Sequence, residues 1–243
     1  MFLCQVSLRN ISIGGITEKI VISIGGSVLI PGDDDGSYIK RLAGMLKDLA
    51  DKVQIYVVCG GGKTARYYAS VAAELGGTVD QMDLLGIGAT RMNAGLLGLA
   101  LGDWCYPDIP LTVEEAAKKG GKGKIVVMGG TEPGHTTDGV TALLAREVKA
   151  DRIINATSVD AVYSDDPRAN GHAERYSEIT IDRLEELVYG RHRASRSGVF
   201  DPLGVQVAKE SRIDIYVVYG RDLNDLKSAI LGEKIKGTVV RSH

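Results

Sequence analysis

Three times in this chain an apolar run ends in a glycine-rich loop that opens a helical pattern. That repeated junction limits the fold more than any other feature of the sequence. The longest example is Gly129-Gly130-Thr131-Glu132-Pro133-Gly134-His135-Thr136-Thr137-Asp138-Gly139, which follows the apolar run 124–128 and precedes the helical pattern 140–145. The others are Gly60-Gly61-Gly62-Lys63 and Gly25-Gly26-Ser27. Glycine lets the backbone approach a phosphate closely, while the amides and dipole of a helix N-terminus favour negative charge. Three such loops imply a site for several phosphates, and hence phosphoryl transfer between two phosphorylated molecules.

Strand and helix patterns alternate along the chain. Apolar runs at 19–24, 53–59, 124–128, 152–156, 214–219 and 238–241 read as strands, with a further candidate at 104–106. Helices are expected at 38–51, after Lys63, and at 83–101, 112–119, 136–149, 180–190, 201–211 and 222–231. This order predicts an α/β protein: a three-layer α/β/α sandwich with a mostly parallel central sheet. Ligands of such sheets bind beyond the carboxyl ends of the strands, where all three glycine loops lie.

With 243 residues, 44% apolar and 25% charged, the composition is that of an ordinary globular protein. A net charge of -2 argues against a nucleic-acid surface as the main purpose, so basic residues at a phosphate site must be local. Cys4, Cys59 and Cys105 are an odd, scattered set that fits reduced thiols in a cytoplasmic protein and no metal centre. No apolar run is expected to span a membrane. Residues 1–18 are read as an extension before a single domain at 19–243, and the flexible stretch 120–123 is not read as a boundary.

Each motif carries a bland reading as well. Gly62-Lys63-Thr64 imitates the end of a P-loop, but Val57 stands where that pattern needs its first glycine. Gly60 to Gly62 could be only a tight turn, yet Lys63 and Arg66 on the next turn suit a phosphate cradle. Thr136, Thr137 and Asp138 could simply cap a helix, though the loop before them is longer than a cap needs. The segment 157–167 is either a polar turn or a nucleotide edge, with Tyr163 offering a ring and Thr157 and Asp166 hydrogen bonds. Asp80 and Asp83 precede a helix, where one could cap it and the other reach a ligand hydroxyl. The basic cluster 191–197 reads as a solvated loop or a mobile lid.

Taken in order, the segments 24–27, 60–63 with Arg66, 83–93, 129–138, 157–167 and 197–203 resemble the amino acid kinase superfamily. Within it, Gly-Gly-Thr-x-Pro-Gly-His-Thr-Thr-Asp at 129–138 is similar to the archaeal type of uridylate (UMP) kinase. The resemblance implies a reaction of ATP with UMP to give ADP and UDP, in pyrimidine nucleotide (CTP) biosynthesis. It implies an acceptor part at about 19–155, with Gly61, Asp83, Thr131, Glu132, Pro133, Gly134, His135, Thr136 and Thr137 on UMP. An ATP part at about 156–243 would contribute Thr157, Ser158, Tyr163 and Asp166, with Gly26, Ser27, Gly62 and Arg66 around the phosphates. Asp138, Lys63 and Arg66 would be catalytic. Mg²⁺ would enter with ATP, UTP would inhibit, and the chain would assemble as a homo-hexamer. Ser158, Ala161 and Ser23 stand where relatives commonly carry Asn, Gly and, in bacterial members, Lys. A sister kinase acting on isopentenyl phosphate or a carboxylate is one alternative, although the helix 63–68 lacks the histidine of the former. A non-catalytic nucleotide or oxoanion binder is the other.

Overall fold

The computed structural model describes residues 18–120, 123–167, 169–193 and 199–243, with residues 191–193 described by backbone alone. Most of the 1–18 extension, the middle of the 120–123 stretch, the side chains of the 191–197 cluster and the start of the 197–203 segment lie outside the described residues.

The chain begins with strand β1 (Lys19–Ile24), helices α1 (Gly26–Leu29) and α2 (Asp35–Leu49), and strand β2 (Gln54–Cys59). Helices α3 (Gly62–Glu74) and α4 (Val79–Leu101) follow, then a 3-10 turn (Gly102–Trp104), α5 (Val113–Lys118), β3 (Val126–Met128), α6 (Thr137–Val148) and β4 (Arg152–Thr157). Short strands β5 (Val162–Tyr163), β6 (Arg175–Tyr176) and β7 (Glu178–Thr180) lead into α7 (Ile181–Arg193) and α8 (Pro202–Ser211). The chain closes with β8 (Asp214–Tyr219), α9 (Leu223–Leu231) and β9 (Thr238–Arg241).

Seven strands form one sheet in the order β3-β2-β1-β4-β8-β9-β7. Strands β3, β2, β1, β4 and β8 are mutually parallel, and the sheet reverses where β9 pairs antiparallel with β8. The four central strands are buried because helices cover both faces, so they carry nearly continuous Val/Ile runs. Alternate residues serve opposite cores. Ile20, Ile22 and Ile24 join Ile55 and Val57 beneath α2, α4 and α9, whereas Val21, Tyr56 and Val58 pack with α6, α7 and α8. The layers are therefore helix, sheet, helix.

Three expectations need correction. α4 starts at Val79, not near residue 83, because Thr78 and Gln81 form a reciprocal capping box, which places Asp80 and Asp83 inside the helix. The strand expected at 104–106 is the end of a 3-10 turn: α4 stops at Gly102 (φ +56°), and Cys105 makes only an isolated parallel bridge to Ile125. Finally, one segment among the described residues, Val79–Trp104, is long and apolar enough to cross a bilayer by length and composition. Its inner residues Ile87, Ala94, Leu97 and Leu101 are buried against the protein, as suits a core helix.

Candidate active site

Strand register sets the exits of the sheet side by side. Ile24 pairs with both Cys59 and Ala156, and Val58 pairs with Met128, so the loops after β1, β2, β3 and β4 leave at one edge. The first two loops then touch through backbone alone. A Cβ on Gly26 would stand 2.1 Å from the Gly62 nitrogen, and Gly62 itself has φ +61°. Glycine at both positions is thus required by the close crossing of the loops, independently of any phosphate. Gly60 N donates to Ile24 O (2.8 Å) and Gly25 N to Ala156 O (3.0 Å), which fixes both loops to the sheet.

Beside this crossing lies a cavity of about 380 Å³. Its walls are α3 (Ala65, Arg66, Ala69), α4 (Met82, Asp83, Gly86, Ile87, Thr90) and the head of α6 with its preceding loop (Gly130, Gly134 to Thr137). Gly61 completes the lining at the head of α3. Of the expected acceptor residues, Gly61, Asp83, Gly134, His135, Thr136 and Thr137 meet here, together with Arg66. Thr136 caps α6 by accepting from Gly139 N (3.1 Å), so the amides at the head of a 12-residue helix point toward the cavity's end of the sheet. Asp83 accepts a hydrogen bond from Gly134 N (2.8 Å).

Thr131 and Glu132 are placed differently. With His135, Leu111 to Glu114 and Arg146, they line a second cavity of about 400 Å³. The chain turns at Pro133 and Gly134, where His135 N donates to Glu132 O (3.4 Å), so the loop's two ends face different spaces. His135 borders both, and its Nδ1 lies 3.2 Å from Glu132 Oε1.

The expected catalytic residues also separate. Arg66 stands on the cavity wall and donates to Ser27 Oγ (3.3 Å), linking the cavity to the β1 loop. Lys63 turns the other way and donates to Pro31 O (2.7 Å). Asp138 sits behind the head of α6, where Ser23 Oγ donates to its Oδ1 (2.8 Å). Protein atoms surround the Asp138 carboxyl although it keeps some accessible surface. Burial pushes its pKa up to about 6; the Ser23 hydrogen bond opposes this and the nearby Asp201 carboxylate reinforces it. Asp201 itself caps α8 through Leu203 N (2.8 Å) and Gly204 N (3.3 Å).

On the far side, Thr157 ends β4 and accepts from Gly220 N (2.8 Å), while Ser158 is exposed just beyond. Tyr163 lies on the β5–β6 hairpin and donates to Asp160 Oδ1 (3.0 Å), while Asp160 Oδ2 pairs with Arg175 (3.0 Å). Asp166 follows in the same segment, its amide donating to Asp165 Oδ1 (2.8 Å).

Several contributors escape a reading of the sequence. Thr90, Arg91 and Asn93 bond to loop backbone and Ser23 to Asp138, while the Asp201 carboxylate acts on Asp138 through its charge. Asn93 donates to Gly60 O (2.7 Å) and so steadies the second glycine loop from α4. The only readable hint was spacing: Thr90 lies seven residues after Asp83, two turns along one helix face.

Comparison with known proteins agrees with this architecture. Residues 18–219 match the model of the "Amino acid kinase family". Uridylate kinase from Methanobrevibacter smithii is 42% identical over 223 residues, covering 91% of this chain and 99% of that protein. Uridylate kinase from Thermococcus onnurineus shows the same identity and coverage. The crystal structure of uridylate kinase from Archaeoglobus fulgidus superimposes with a TM-score of 0.81 at 40% identity, covering 91% of this chain and 99% of that one. By these similarities the chain belongs to the amino acid kinase family.

Proposed function

We propose that this chain is a UMP kinase, transferring the γ-phosphoryl group of ATP to UMP to give ADP and UDP. One observation carries the reading: the cavity between α3, α4 and the head of α6 abuts the crossing of the two glycine loops, so an acceptor and a donor phosphate could lie end to end. Relatives named uridylate kinase, matched over nine-tenths of the chain, support the choice of acceptor.

The residues divide the work by position. Asp83 and residues 134–137 are assigned to UMP with Gly61, whereas Thr131 and Glu132, expected there, face the neighbouring cavity. Gly26, Ser27 and Gly62 are assigned to the ATP phosphates, and Thr157, Ser158, Tyr163 and Asp166 to the adenosine end. A UMP phosphate oxygen attacks the γ-phosphorus in line, and positioning and charge neutralisation supply the rate. Each phosphate carries roughly -1.5 to -2 charges, so the two repel unless offset. Arg66 on the wall and the α6 amides do this, with Lys63 able to contribute only by leaving the Pro31 carbonyl. The attacking phosphate is already ionised, so no general base is required. Asp138 is assigned to organising the reacting groups from the head of α6.

Among the described residues no cluster of three or more His, Cys, Asp or Glu side chains could hold a metal ion. Mg²⁺ would arrive on ATP, since this hard cation favours phosphate oxygens, water and one or two carboxylates. It would neutralise charge on the β- and γ-phosphates. The same reading places the enzyme in the cytoplasm, in pyrimidine nucleotide synthesis toward CTP, as a homo-hexamer inhibited by UTP. Its acceptor part is taken as 19–155 and its ATP part as 156–243.

Coupled detection of ADP with a panel of acceptors tests the reading. UMP is expected to exceed CMP at least tenfold, because a mismatched base leaves buried polar groups unpaired. Isopentenyl phosphate and carboxylates are expected to give background rates. Equal rates on UMP and CMP, or ADP release only with another acceptor, would overturn the assignment.

A further inference from the structure

One helix grips the acceptor loop at both ends. Near the start of the loop, Thr90 Oγ1 accepts from Gly130 N (2.7 Å) while donating to Ile87 O (2.6 Å). The next residue, Arg91, donates from Nε to Gly130 O (3.2 Å) and from Nη2 to Thr131 O (3.1 Å), and reaches Leu111 O at 3.5 Å. Two turns earlier on α4, Asp83 takes the Gly134 amide (2.8 Å). The fit is close: a Cβ on Gly129 would stand 2.5 Å from Thr90 Oγ1 and 2.8 Å from Arg91 N.

The consequence is chemical as well as geometric. The amide and the carbonyl of Gly130 are both held, so neither adjoining peptide can rotate without breaking a bond to α4. Thr90 is buried, and the guanidinium gives its carbonyl partners charge-assisted hydrogen bonds that a neutral group would not replace. Residues 131–137 therefore start from a fixed peptide and return to the same helix at Gly134. The hydrogen bonds of Thr90, Arg91 and Asp83 run to the acceptor loop, to Ile87 and to Leu111, and none goes to Gly26 or Gly62, although the Thr90 methyl lies beside Gly61.

We propose that Thr90 and Arg91 are positioning residues for the acceptor nucleotide, acting through the loop that they hold. The proposal rests on reading the α3–α4–α6 cavity as the UMP site. The two substrates should consequently respond differently to loss of the grip.

Steady-state kinetics on the full chain would compare Arg91→Ala, Thr90→Val and Thr90→Ser with the unmodified protein. Arg91→Ala is expected to raise KM for UMP at least fivefold while changing KM for ATP less than twofold. Thr90→Val, which keeps the shape but loses the hydroxyl, should move the same constant in the same direction, and Thr90→Ser should restore it to within twofold. An unchanged KM for UMP, or a parallel rise in both constants, overturns the proposal. If Arg91→Ala does not fold, the Thr90 pair decides alone. Amide hydrogen exchange gives a readout independent of turnover. Exchange across 129–134 should quicken in the variants while β1 and β4 stay protected, and unchanged exchange rejects the grip. An unmodified chain that makes no ADP with UMP would sink the acceptor assignment instead, and leave exchange to judge the loop.

Discussion

Asp138 shows how a single residue joins stability to chemistry. Its carboxyl has an ordinary pKa of 3.8 and is pushed up to about 6, chiefly by burial. Between pH 4 and 6 the unfolded chain therefore releases this proton before the folded chain does. Folding loses free energy as pH rises through that interval and loses no more above it. About two pKa units correspond to at most ~3 kcal/mol. Asp138→Asn cannot ionise, so its melting temperature relative to the unmodified protein is expected to rise from pH 4 to 6 and then level off. The same variant should lose at least tenfold in turnover on UMP, about 1.4 kcal/mol. A stability difference that is flat from pH 4 to 7 would contradict the buried carboxyl. Residues such as Arg66, Asp83 and Thr136 were legible because loop glycines and helix starts flagged their surroundings. Ser23, Thr90 and Arg91 were not. Ser23 stands out only as a departure from relatives, Thr90 and Arg91 not at all, and each bonds to a partner at least 39 residues away.

At the scale of elements, what the sequence made plain was the alternation, because the buried strands are apolar runs rich in Val and Ile, closed by glycine after β1, β2, β3 and β8. Element edges were less plain. The start of α4 was missed although Thr78-Val79-Asp80-Gln81 carries a capping pattern, since the apolar periodicity begins only later. The β5–β6 hairpin has no signature in the sequence, because strands of two residues have no periodicity to detect. The crossing of the loops before α1 and α3 yields a sharper expectation. Gly26→Ala would drive a methyl group into the Gly62 backbone, where no side chain can yield. We expect a loss of roughly 1–3 kcal/mol in denaturant unfolding together with weakened ATP binding. By contrast, Gly36→Ala, within α2 where a Cβ meets nothing within 4 Å, should leave ATP binding unchanged and cost no stability. Equal behaviour of the two variants would refute the crossing.

For the molecule as a whole, the outer face of α4 stands apart. Leu84, Met92, Leu96 and Leu99 are exposed along it, Leu99 at 80%, and Tyr67 and Leu75 extend the apolar surface onto α3 and its C-cap. Apolar patches of this extent usually mark association surfaces. If the chain assembles as a hexamer, Leu99→Glu is expected to lower the mass measured by light scattering; an unmodified chain of monomer mass, or an unchanged mass in the variant, would exclude this face. The sheet order was only partly legible, because the reversal at β9 depends on long-range pairing with β8 that a run of four residues does not announce. The double hold of α4 on the acceptor loop has a mechanical corollary. A helix is stiff along its axis, so Asp83, Thr90 and Arg91 cannot shift independently of one another. Any tilt of that rod would carry the floor and the roof of the chamber together, preserving its shape while altering its distance from the neighbouring phosphate cradle.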